Sequence, residues 1–81
     1  MKVKFRTTNE IELFKNLASK LDGDVFIRCR NSELINGKDI DNLNDVHLDV
    51  QHEVVFVTKS DREKDSFVSE LLNNEISIFN E

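Results

Sequence analysis

The sequence predicts an α+β domain with helices layered on one face of a mostly antiparallel sheet. Three observations carry that prediction. Short runs such as Lys2-Val3-Lys4-Phe5-Arg6 alternate apolar and charged residues, the period of a half-buried strand. Longer segments place apolar residues at helical spacing, Ile11 to Leu21 and Phe67 to Leu72. The chain has no proline and only two glycines, which excludes a loop-built or disordered scaffold.

Residues 2–7 form the first strand, with Val3 and Phe5 pointing one way and Lys2, Lys4 and Arg6 the other. Asn9 is suited to cap the following helix, and Glu10 and Glu12 fall in its first turn, where the helix dipole favours anions. Ile11, Phe14, Ala18 and Leu21, widened by Leu13 and Leu17, are its apolar stripe. Asp22-Gly23 ends it, the glycine expected in the left-handed C-terminal position. A second strand follows over 24–30, Val25, Ile27 and Cys29 on one face and Phe26, Arg28 and Arg30 on the other. Asn31-Ser32 turns the chain into a short third strand around Ile35. Ile40, Leu43 and Val46 at i, i+3, i+6 suggest a short helix over 38–46. Residues 53–58 make the fourth strand, Val54 and Phe56 opposite Val55 and Val57. Ser60 and Glu63 match a capping box, and Phe67, Val68, Leu71 and Leu72 give the last helix a buried stripe. The order is β-α-β-β-α-β-α.

A chain of 81 residues supports one domain with a modest core, expected over 1–74, and a tail over 75–81 that packs on the domain or on a partner. In that tail Ile76 and Ile78 alternate with Ser77 and lead to Phe79. It is expected to return as a strand or lid, or to pair with a second copy. Cys29 has no disulfide partner in the chain, and no leader pattern or apolar run of membrane length is visible. These features predict a reduced, cytoplasmic setting without membrane contact. The formal charge of −5 repels phosphate backbones and argues against nucleic acid as a partner.

The run Ala18-Ser19-Lys20-Leu21-Asp22-Gly23-Asp24-Val25, the later Asn36-Gly37-Lys38-Asp39-Ile40, and the stretch from His52 to Leu72 resemble the histidine-containing phosphocarrier protein (HPr) family of the sugar phosphotransferase system. The resemblance covers most of residues 2–73. It implies an open-faced β-sandwich, a four-stranded antiparallel sheet with three helices on one face and the other face bare. In that family a histidine at the start of the first helix takes a phosphoryl group beside an arginine. Here the corresponding loop, Thr7, Thr8, Asn9 and Glu10, holds neither, and Glu10 and Glu12 would repel a dianion. The family's regulatory serine corresponds to Asp39, which is read as a helix N-cap or as a permanent stand-in for phosphoserine.

Other constellations are weaker. His47 and His52, near Asp45, Asp49 and Glu53, are expected in a solvated loop, without the converging ligands a metal needs. Residues 39–45 lack the glycine and distal glutamate of a calcium loop. Cys29 reads as a buried structural thiol, and no serine lies in a nucleophile motif. The bare sheet face is the candidate surface, with Lys2, Lys4, Arg6, Arg28 and Arg30 around Phe26, Val55 and Val57. The sequence therefore predicts a non-catalytic, HPr-like protein with no cofactor and no metal, acting through a protein partner. One alternative is a phosphocarrier using an atypical acceptor among Thr7, Thr8, His47 and His52. The other is an anion or nucleic-acid binder using the basic sheet face.

Overall fold

The computed structural model describes residues 1–29, 31–40, 45–58 and 60–80. Its elements are β1 (Lys2–Lys4), α1 (Thr8–Ser19), β2 (Asp24–Arg28), β3 (Leu34–Asn36), a 3-10 turn (Gly37–Asp39), β4 (Gln51–Val57), α2 (Asp61–Asn73) and β5 (Ser77–Phe79). The α+β class is the one expected, with a difference in count. Among the described residues the sheet has five strands where four were expected, in the order β3-β2-β4-β1-β5, and two α-helices pack on it where three were expected. Residues 77–79 add the fifth strand, antiparallel to β1. Every pairing between these strands is antiparallel, so β1 and β2 run parallel with β4 between them, and β4 and β5 run parallel with β1 between them. Two split β-α-β units thus interlock in one sheet.

Register sorts the side chains. Val3 lies opposite His52 and Ile78, Ile27 opposite Ile35 and Val54, and Val25 opposite Phe56. These residues face the helices. Ile11, Phe14, Leu17 and Ala18 of α1 and Phe67 and Leu71 of α2 are buried against them. Phe14 meets Phe5 and Phe67 edge-on, with ring centroids 5.5 and 5.4 Å apart. Leu72, expected in that stripe, is 59% exposed, because it lies one residue beyond the buried Leu71 and so about 100°, more than a quarter of a turn, around the helix from it.

Several local expectations need correction. The cap of α1 is Thr7, not Asn9: its side chain accepts the Glu10 amide at 3.3 Å from an extended backbone. Gly23 has no left-handed conformation. It is needed instead for close approach, since a Cβ there would lie 2.9 Å from the Thr58 Cβ and 3.0 Å from the Val57 carbonyl oxygen. Asp39 caps nothing. Asn36 caps the 3-10 turn by accepting from the Lys38 amide at 2.9 Å, and Asp39 is the turn's exposed third residue. The helix expected over 38–46 does not begin there, because Ile40 is extended. Asp41 to Asn44 lie outside the described residues. Ile40 and Val46 are nevertheless core residues. In α2 Ser60 caps by accepting the Glu63 amide at 3.2 Å, but the Glu63 carboxylate accepts from the Gly23 amide at 2.8 Å instead of returning to Ser60.

Candidate functional site

Two places compete for a functional role: the turn from β1 into α1, and the bare face of the sheet. At the turn β1 stops at Lys4, and Arg6 leaves the strand direction. One oxygen of the Glu10 carboxylate accepts the Arg6 amide at 2.8 Å, and the other accepts the guanidinium at 2.8 and 3.1 Å. Arg6 Nη2 also donates to the Glu75 carbonyl at 3.0 Å. Arg6 therefore does not project from the sheet face with Lys4. It joins the first turn to the turn after α2. Burial pushes the Glu10 carboxyl upward, but the backbone and side-chain hydrogen bonds from Arg6 and its charge together outweigh burial and hold it below its ordinary value. The positive end of α1 and its neighbouring cation are thus already matched by a fixed carboxylate. Thr7, Thr8 and Asn9 are exposed around this clasp.

Neither histidine stands at that helix end. His52 is not in a solvated loop. It is 4% exposed, within β4, on the helix side opposite Val3. The His47 amide donates to its Nε2 at 3.1 Å. A carbonyl only accepts, so Nδ1 carries a proton and donates it to the Arg28 carbonyl at 3.0 Å, while Nε2 also lies 3.3 Å from the His47 carbonyl. Both ring nitrogens therefore tie down backbone. His47 is exposed just before β4. Cys29 is 7% exposed. Burial, then the charges of Asp45 and Glu33, push its thiol up, which leaves it a poor nucleophile. Among the described residues no three His, Cys, Asp or Glu side chains converge as metal ligands. No helix among them is long and apolar enough to cross a membrane.

The bare face is ordered in rows across the strands. One row is Asn36, Phe26 and Val55. The next contains Leu34 and Arg28, with Glu53, Lys2 and Phe79 in register beyond. Arg28 Nε donates to Glu53 Oε1 at 3.1 Å, which joins β2 to β4 across that row. Lys4 lies between Gln51 and Ser77. Asp24 lies beside Val57 and accepts from Asn36 at 2.9 Å. Leu34, Val57 and Phe79 are 43, 56 and 36% exposed, and Phe26 and Val55 are half-buried between them. Among the described residues no helix covers this face, because both helices pack on the other side. Of the predicted surface residues, the structure brings together Phe26, Arg28, Val55 and Val57, with Lys4 further along. It removes Arg6, and Arg30 lies outside the described residues. It adds Leu34, Glu53 and Phe79. The acidic neighbours Asp24 and Glu53 make this a face of alternating charge and not a basic one.

A groove of about 530 Å³ runs between the C-terminal end of α1 and the start of α2, floored by Leu17, Leu21 and Phe67. Lys20 and Arg62 on its rim are outnumbered by the carboxylates of Asp22, Glu63 and Glu70, so the groove mixes both signs and offers a ligand no patch of a single sign. Comparison with protein-family models, curated proteins and solved structures finds no match for this chain.

Proposed function

We propose that this chain is a non-catalytic, HPr-like binding module that does not carry phosphate and meets its protein partner through the bare sheet face. The observation that carries this reading is the Glu10–Arg6 clasp. A phosphoryl group at the start of α1 would need an imidazole, free donors and a positive local field. That place holds a bonded carboxylate. The order β-α-β-β, then a 3-10 turn, then β-α supports the kinship, as does the placement of the helices on a single face. The apolar residues left uncovered on the other face support a partner surface. The atypical-carrier alternative is disfavoured by the hydrogen bonds at both His52 nitrogens. The anion-binding alternative is disfavoured by Asp24 and Glu53 among the cations.

Incubation with phosphoenolpyruvate and the first enzyme of the phosphotransferase system tests the reading. No acid-labile phosphate should appear on the protein, while an authentic carrier in the same tube is labelled. Labelled protein would replace this reading with that of a carrier.

A further inference from the structure

We propose that the partner on the bare face is a second copy of the chain, packed sheet to sheet about a two-fold axis that runs along the strands between β2 and β4. This rests on the reading of that face as the binding surface and supplies its occupant. The argument is one of self-complementarity. A two-fold interface must be complementary to itself, so that residue i meets residue j and j meets i.

Phe26 is in register with Val55, and Arg28 is joined to Glu53 one row along. Each pair straddles the line between β2 and β4. Rotation about that line lays Phe26 over the partner's Val55 and Arg28 over the partner's Glu53, and the reverse. An aromatic ring thus meets a branched aliphatic side chain twice. Two ion pairs become a ring of four charges with alternating sign, so no charge loses its partner on leaving water. The same rotation sets β3 over the partner's β1, where Leu34 meets the methylene stem of the partner's Lys2. Sheets stacked this way lie about 10 Å apart with strands within about 30° of each other, so pairing is closest near the axis. The molecule measures 30 × 25 × 24 Å, so one face has a size comparable to the ~800 Å² per partner of a standard interface. The chain carries a net charge of −5, yet the central block of Phe26, Arg28, Glu53 and Val55 is neutral, so the repulsion between copies lies outside it. The groove between α1 and α2 has no such pairing across a line.

Sedimentation equilibrium from about 1 µM to about 1 mM, the range of weak to moderate association, reads the outcome. Wild type should approach twice the chain mass of 9.4 kDa. Arg28→Glu and Glu53→Arg, each alone, should remain at the single mass, since each sets like charges across the axis. An equal mixture of the two should recover the doubled mass, because each variant supplies the charge that the other needs. That rescue cannot come from repair within a chain, where both variants keep a like-charged pair. Should the variants fail to fold, an isotope-filtered nuclear Overhauser experiment on a mixed-label wild-type sample takes their place, with contacts expected from the Phe26 ring of one copy to the Val55 methyls of the other. A single mass for wild type at every concentration overturns the proposal, as do single variants that still dimerise, a mixture that stays monomeric, or an interface without Phe26–Val55 contacts. None of those results bears on the phosphate assay, so the partner's identity and the non-carrier reading fail separately.

Discussion

Glu10 holds one end of the molecule with a single carboxylate. It fixes the Arg6 amide and guanidinium, and Arg6 in turn fixes the carbonyl of Glu75. Its carboxyl is held below the ordinary value of 4.5. Its stabilisation is therefore complete above that value and fades as pH falls through the lower folded one. Glu10→Gln should be less stable than wild type at neutral pH, and the difference should shrink as pH drops below about 4.5. Urea denaturation of both proteins at several pH values measures this, and a gap that stays constant in acid would refute the assignment. The Thr7-x-x-Glu10 spacing is a capping signature, but the stronger capping preference of Asn9 concealed it. The Arg6–Glu75 link spans 69 positions, and no local pattern announces it. His52 was illegible for a related reason. Its acidic, polar neighbours read as a loop, and only the pairing of β4 with β1 and β2 carries it inward, where two backbone groups satisfy its ring.

At the scale of the elements, α1 shows how two capping residues, Thr7 and Asn9 on either side of Thr8, compete. Asn9 is the better cap by preference, but the Arg6–Glu10 bond bends the chain at residue 6 and starts α1 at Thr8. Thr7→Ala should cost about 1 kcal/mol of stability, the usual loss of a cap. Asn9→Ala, exposed within the first turn, should stay within about 0.5 kcal/mol of wild type. Thermal unfolding of the two variants distinguishes the positions, and equal losses would return the cap to Asn9. The 3-10 turn has a steric cause. Gly37 is pressed against α1, where a Cβ would lie 3.0 Å from Phe14 Cε1 and 3.2 Å from the Ala18 Cβ. Ile40 then enters the core from an extended backbone. Apolar spacing showed that residues 40 and 46 go inside, since Ile40 and Val46 are both buried. It did not show by what backbone path, because i, i+3, i+6 spacing fits a helix as well as a core-seeking loop.

For the whole molecule, the layer order was readable because alternation and helical spacing are local. The order of strands in the sheet was not, because it depends on which edges meet. The fifth strand shows the limit. Ile76-Ser77-Ile78 alternates plainly, but only β1 decides where such a strand can lie. A small domain keeps little stability in reserve, so this late strand matters. Ile76 is 2% exposed, and its amide donates to the Leu71 carbonyl at 3.0 Å. Ile76→Ala should lose about 2–4 kcal/mol in a denaturant titration, and a loss under about 0.5 kcal/mol, the scale of surface changes, would mean that β5 is not anchored. The register of β5 has a topological consequence. Lys2 stands opposite Phe79, so positions 2 and 79 emerge side by side at one sheet edge. A short linker would close the polypeptide into a circle there, and a cut at the Asn31-Ser32 bend would reopen it with every strand pairing kept. The molecule is thus indifferent to where its thread starts, and a fused passenger at either terminus would hang from the same corner, far from β3.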